Sequence, residues 1–184
     1  MKLLKLEKIR DGKYLKNYEI TYLNKAGKEK KYEMVSRRDI QSVDEIGRRA
    51  SGISIVAFHE GKLLLLREFR MSVNKMILNL CAGMIEDGET VEECIRRELY
   101  EETGLSVKKI RTILPPSYAA VGISDTKTYI AIVDAEGEFS DHTSDNEMIQ
   151  AGFYSKEEVE KMLETEEFSS RSQMIAYFFV QGFC

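Results

Sequence analysis

The sequence predicts a mixed α/β domain that carries a small β extension at its start. Three observations support that expectation. Two nearly continuous apolar runs, Ile53 to Phe58 and Lys62 to Arg67, flank the turn His59-Glu60-Gly61 and read as strands covered on both faces. The segment from Thr90 to Thr103 has helical periodicity and stops at Gly104, where a C-cap glycine belongs. Two further helices close the chain, each opened by a capping box: Ser155 with Glu158, and Ser170 with Gln173.

Residues 13 to 35 are expected to form a hairpin, because Tyr14, Tyr18, Ile20 and Tyr22 precede the turn-like Asn24-Lys25-Ala26-Gly27 and Tyr32 to Val35 follow it. Charged stretches around Ser36-Arg37-Arg38-Asp39 and Gly47-Arg48-Arg49 separate this hairpin from the rest. The boundary falls near residue 48, giving an N-terminal β extension over 1–48 and a main domain over 49–184. After the strand pair and the long helix, a strand is expected at Val107 to Leu114, broken by Pro115-Pro116, then another at Thr128 to Val133. A polar loop, Gly137 to Asn146, leads to a short strand near Met148 to Tyr154, and Gly182 stops the last helix.

A chain of 184 residues, 43% hydrophobic, has room and material for one full-sized core. The 31 acidic residues nearly cancel the 27 basic ones, leaving a net charge of −4. No overall basic field can displace counterions from a phosphate backbone, so a general nucleic-acid binder is disfavoured. Cys81, Cys94 and Cys184 are odd in number and widely spaced, which argues against a disulfide framework and for a reducing cytoplasm. The amino terminus is too frequently charged for a signal peptide, and the longest apolar stretches are too short to span a membrane. With only His59 and His142, and no GxSxG, P-loop or GxGxxG, triad hydrolases, P-loop kinases and dinucleotide dehydrogenases lack support.

The informative segment is GMIEDGETVEECIRRELYEETGL, from Gly83 to Leu105. On a helical wheel Val91, Cys94, Ile95 and Leu99 form the apolar face, and Glu98, Glu101 and Glu102 fall within or beside it. Glu92–Arg96 and Glu93–Arg97 are expected as i, i+4 pairs on the outer face. Clustered, desolvated carboxylates repel one another, and acids are misplaced at the negative end of a helix. A hard divalent cation, Mg²⁺ or Mn²⁺, answers both problems, because it takes carboxylate oxygens and keeps positions for water and phosphate.

This segment resembles the Nudix box: Gly, five residues, Glu, seven residues, then Arg-Glu-apolar-x-Glu-Glu-x-Gly-apolar. The chain places Gly83, Glu89, Arg97, Glu98, Leu99, Glu101, Glu102, Gly104 and Leu105 at every fixed position, a coincidence on the order of 10⁻⁷ by average composition. The resemblance implies an α/β/α sandwich around a mixed β-sheet and hydrolysis of a nucleoside diphosphate linked to another moiety. Glu98 and Glu102 would be the main metal ligands, with Glu101 and the backbone carbonyl of Ala82 beside them. Arg97 would orient the carboxylates and Glu89 support them. The catalytic base would come from a later loop, where Glu147 is the candidate.

Outside the box the chain looks like the ADP-ribose pyrophosphatase branch, which cleaves ADP-ribose to AMP and ribose 5-phosphate. Leu64 to Arg70 resembles that branch's apolar strand, and Arg70 would meet a substrate phosphate. The N-terminal hairpin resembles the branch's appended sheet, which implies a homodimer with Tyr14, Tyr32 and Arg37 at the base. The chain departs from the pattern in Asn79-Leu80-Cys81-Ala82-Gly83, which lacks the Glu and Pro of Glu-x-Pro-Ala-Gly, and in Ala119-Ala120-Val121-Gly122, which replaces Ser-Pro-Gly. A nucleotide-sugar pyrophosphatase of other base or sugar specificity is therefore the alternative. A non-catalytic ADP-ribose sensor is the reading of a different class, and retention of all four box glutamates argues against it.

Overall fold

Strand formation follows the apolar runs, and their alternation decides which layer each side chain enters. The computed structural model describes residues 1–183, so Cys184 lies outside the described residues. Two units divide the chain: Met1–Ser51 with Pro116–Thr128, and Gly52–Pro115 with Tyr129 to the C-terminus.

The first unit holds an antiparallel sheet of β1 (Lys2–Asp11), β2 (Lys16–Leu23) and β3 (Glu29–Ser36), in that order. The expected hairpin is its β2–β3 half, with Tyr18 opposite Met34 and Ile20 opposite Tyr32. Strand β1 was not expected. Its sequence KLLKLEKIRD leaves it largely exposed, so the apolar signal of a buried strand is missing. Tyr18, Ile20, Met34 and Ile40 make a small core of their own. Segment 116–128 joins this unit because Val35 bridges Ser124 and the Tyr32 hydroxyl donates to the Gly122 carbonyl.

The second unit is built on a seven-stranded sheet. It contains β4 (Gly52–His59), β5 (Lys62–Arg70), β6 (Lys75–Asn79), β7 (Cys81–Met84), β8 (Ser106–Tyr118), β9 (Lys127–Glu136) and β10 (Ile149–Tyr154). The main order is β10-β5-β4-β9-β8, with β6 added to β5 and β7 to β4. Strand β4 runs antiparallel to β5 and β7. It runs parallel to β9: Ser51 N–H meets the Lys127 carbonyl and, eight residues on in both strands, His59 Nδ1 meets that of Ala135. The sheet is therefore mixed.

Helix α1 (Val91–Thr103) covers one face, over a core of Ile53, Ile55, Leu64, Leu66, Leu99 and their neighbours. Helices α2 (Lys156–Thr165) and α3 (Ser170–Val180) cover the other, over Val56, Phe58, Leu63, Leu65 and Leu78. Consecutive residues of β4 and β5 thus alternate between two apolar layers, which is why both runs are continuously apolar.

Three local expectations are corrected. Strand β8 runs through Pro115-Pro116 rather than ending there; it is the edge strand of its sheet, so the one of the two adjacent nitrogens that points outward costs no ladder bond. The short strands β6 and β7 escaped the pattern, being only five and four residues long. Helix α3 is capped by Ser169 and not Ser170: the Ser169 hydroxyl accepts the Ser172 N–H and itself donates to Asn79 Oδ1 at 2.9 Å.

Candidate active site

Helix α1 is tied at both ends. Thr90 and Glu93 form a reciprocal capping box at its start. At its end Gly104 takes φ +77°, and its N–H bonds the Tyr100 carbonyl at 2.7 Å. A Cβ on Gly104 would lie 2.0 Å from Ser140 Oγ and 2.6 Å from Ser140 N, so only glycine admits the loop after β9 at this point. That loop is docked on the helix by Ser140 N–H to the Thr103 carbonyl, 3.0 Å. His142 adds a stack on Tyr100, with ring centroids 4.6 Å apart, and bonds Ser140 Oγ.

Arg97 organises the acids. Its Nε and Nη2 fork onto the two oxygens of Glu89 at 2.7 and 2.9 Å, and its Nη1 reaches Glu98 at 2.8 Å and Glu101 at 2.9 Å. The remaining Nη2 proton goes to the Met84 carbonyl, 2.9 Å, so all five guanidinium donors are used. The fork holds the Glu89 carboxyl down at about 2. The same acids push Arg97 above its already high ordinary value. The expected outer-face pairs do not form: Glu93 is spent on the cap, and Arg96 donates to the Val107 carbonyl.

Glu98 is buried, and its carboxylate lies directly on the β7 backbone: a Cβ on Gly83 would stand 1.7 Å from its Cδ. Burial raises its pKa, and Arg97 opposes the rise. Glu102, one turn on, accepts the Ala82 N–H at 3.1 Å. Desolvation pushes its carboxyl up to about 8; the Cys81 thiol and Ala82 N–H pull it back, and the charges of Glu98 and Glu68 add to the rise. Glu101 differs from the wheel expectation, since half of its side chain is exposed and it faces Arg97.

Hard carboxylate oxygens one helical turn apart are the donor set that Mg²⁺ or Mn²⁺ prefers. Arg97 has no donor left for Glu102, so the positive charge that would ionise it must come from elsewhere. Bare Gly83 gives the Glu98 carboxylate room on this face. On these grounds the residues fit a divalent cation. Among the described residues no three acidic, thiol or imidazole groups converge on one point as they stand, because Glu98 and Glu101 are turned to Arg97.

Glu102 and Thr103 line a cavity of about 220 Å³ with Phe139, Ser140, Asp141, Ile149 and Ala151. Asp141 was not foreseen; it sits on the docked loop and accepts the Thr143 N–H and hydroxyl. Glu147 is on the same loop but closes on Ser144, accepting its N–H at 3.1 Å and its hydroxyl at 2.9 Å. Arg70 is at the end of β5, paired with Glu68, another residue the sequence reading missed. Cys81 and Cys94 are buried, and desolvation raises both thiols, Cys94 to about 12, which makes them packing residues rather than nucleophiles.

Tyr14, Tyr32 and Arg37 belong to the first unit and are exposed. Tyr14 lies in the β1–β2 turn with Lys13 Nζ over its ring, 5.1 Å from the centroid. Tyr32 is four residues along β3 from the Lys16–Ser36 pair, so within one chain the two rings stand roughly 13 Å or more apart along the strands. They are not brought together.

A family model described as the NUDIX domain matches residues 48–178. The chain is 29% identical over 137 residues to an ADP-sugar pyrophosphatase of Mus musculus, covering 72% of this chain and 60% of that protein. It is 30% identical over 100 residues to a GDP-mannose pyrophosphatase of Yersinia pestis, half of each chain. The chain thus spans about half to three fifths of the length of these curated relatives. A solved structure described as an ADP compounds hydrolase superposes with a TM-score of 0.74 at 22% identity, over 98% of this chain and 92% of that one, and so has the same fold.

Proposed function

Because this chain belongs to the NUDIX family, we propose that it hydrolyses the pyrophosphate bond of a nucleoside diphosphate joined to a sugar, with ADP-ribose the first substrate to test. The observation that carries this reading is the pair Glu98 and Glu102: two carboxylates on the covered face of α1, one lying on a glycine backbone and the other left without a cation by a saturated Arg97. Glu98 and Glu102 would hold Mg²⁺ or Mn²⁺, with Glu101 and the Ala82 carbonyl beside them. When bound, the cation neutralises the pyrophosphate and makes a coordinated water a better nucleophile.

The chain's own residues do the rest. Arg97 keeps Glu89, Glu98 and Glu101 in register. Arg70 offers a guanidinium to a phosphate oxygen. The docked loop supplies the proton acceptor, and among its acids Asp141 lines the cavity with Glu102 whereas Glu147 is engaged by Ser144. Water adds to phosphorus, one P–O bond breaks, and the products from ADP-ribose are AMP and ribose 5-phosphate. The N-terminal unit, residues 1 to about 48, is proposed to pair two copies and to bring Tyr14, Tyr32 and Arg37 to the base.

No helix among the described residues is long and apolar enough to cross a membrane, and two buried free thiols fit a reducing cytoplasm. Likeness to GDP-mannose pyrophosphatases supports a second reading in which the base or sugar differs while the chemistry is the same. A panel of ADP-ribose, ADP-glucose, GDP-mannose and nucleoside triphosphates, assayed with Mg²⁺ and resolved by chromatography, tests both. Nucleoside monophosphate plus sugar phosphate is the expected product pair, and release of inorganic pyrophosphate from a triphosphate alone would overturn the proposal.

A further inference from the structure

Strand β5 sorts its side chains between the two layers with a period of two. Leu64 and Leu66 enter the core under α1, while Leu63 and Leu65 enter the core under α2 and α3. Continuing the alternation, Arg67 goes to the second layer, where it forks onto Glu166 of the α2 C-cap at 2.8 and 2.9 Å. Glu68 and Arg70 go to the α1 side, the side of Glu98 and Glu102. The β10 partner of Glu68 is Ile149, which lines the same cavity as Glu102. Glu68 is therefore a carboxylate at the site, and its side chain is only 14% exposed.

Its two oxygens are used differently. One takes the Arg70 guanidinium, on a side chain that is 48% exposed. The other accepts Asn79 Nδ2 at 2.9 Å. Asn79 Oδ1 in turn accepts the Ser169 hydroxyl at 2.9 Å, and Ser169 caps α3. Buried Ser172, on the first turn of α3, donates to the Leu78 carbonyl at 2.8 Å, which pins that helix start to β6. A half-exposed cation is thus joined through one carboxylate to a frame of strand and helix N-terminus. Asn79 stands where the ADP-ribose pyrophosphatase pattern has an acid.

We propose that Glu68, held by Asn79 and Ser169, is the positioning residue that aims Arg70 at the substrate's phosphate. The role rests on the pyrophosphohydrolase reading and adds to it a residue that sets substrate affinity. An unheld arginine would have to lose its rotamer freedom each time substrate binds, and the Glu68 pair removes that loss beforehand. Loss of the pair should then weaken binding more than turnover, because Arg70 contacts substrate in the ground state and the transition state alike.

The test combines steady-state kinetics on ADP-ribose with calorimetric binding of its non-hydrolysable α,β-methylene analogue. Glu68→Gln retains an acceptor for Asn79 and removes the ion pair with Arg70. It is expected to raise KM and the analogue's Kd about tenfold while kcat changes less than about threefold. Asn79→Glu alone sets two carboxylates against each other and should also bind more weakly. The double variant Glu68→Gln/Asn79→Glu relieves that repulsion but leaves Arg70 facing an amide at position 68, and should bind no better than Glu68→Gln. Unchanged or tighter binding in Glu68→Gln, or a double variant that regains wild-type binding, overturns the positioning role while leaving hydrolysis in place. KM changes that merely follow a fall in Tm overturn it as well. A wild-type protein that neither binds the analogue nor cleaves any member of the substrate panel overturns the hydrolase reading, and this role with it.

Discussion

Glu102→Gln separates the stability of the acidic helix from its chemistry. In the metal-free protein, burial holds the Glu102 carboxyl at about 8, against an ordinary value near 4.5. Between those two pH values the folded state keeps a proton that the unfolded state has released, so stability falls as pH rises through the window. The slope approaches about 1.4 kcal/mol per pH unit, and over the window the loss amounts to a few kcal/mol. Glutamine has nearly the same volume, can still accept the Ala82 N–H, and does not titrate. The variant should therefore match the wild type within about 0.5 kcal/mol at pH 4.5 and exceed it by a few kcal/mol at pH 8.5. Urea unfolding in the presence of a chelator, at both pH values, measures the difference, and groups distant from Glu102 cancel in it. With Mg²⁺ restored, turnover should fall by several orders of magnitude, since a charged metal donor has been lost. A stability difference that does not change with pH would refute the buried, protonated Glu102. Near-wild-type turnover would refute its role in holding metal.

Two glycines predict opposite phenotypes. At Gly83 the three atoms nearest an added Cβ are all at the tip of the Glu98 side chain, so Gly83→Ala should displace that carboxylate, keep Tm within a few degrees and lower activity strongly. At Gly104 the added Cβ meets the Ser140 backbone and the residue has positive φ, so Gly104→Ala should lower stability by roughly 1–3 kcal/mol by thermal or urea unfolding. On the loop, Asp141→Asn should reduce kcat more than Glu147→Gln does, because Asp141 lines the cavity; pH–rate profiles of both variants check this, and the reverse order would return the base to Glu147.

Much of the fold was legible because its signals are local. The continuous apolar runs of β4 and β5, the capping box at Thr90 and the stop at Gly104 each depend on neighbours within a few residues. So do the spacings that place Glu98 and Glu102 one turn apart. Elements whose formation depends on distant partners were not legible. Strand β1 has no buried stripe and is held by pairing with β2, β6 and β7 are too short to show a period, and β8 passes two prolines at the sheet edge, where the outward-facing one costs no ladder bond.

The same division runs through the site. Sequence alone determined the NUDIX pattern and hence which side chains carry the acid cluster, since that pattern is written in consecutive residues of one helix and the turn before it. Tertiary structure decided what those acids are bonded to: that Arg97 abandons Glu93 for Glu89, that Glu101 faces outward, and that Gly83 must be bare beneath Glu98. It also decided that Asp141, on the loop after β9, lines the cavity with Glu102 and that Glu68, on β5, pairs with Ile149 of the same cavity. The physical reason is that helical spacing fixes a direction in which a side chain leaves the backbone, whereas burial and hydrogen-bond partners are properties of the surfaces that meet there, and those come from segments the local pattern does not contain.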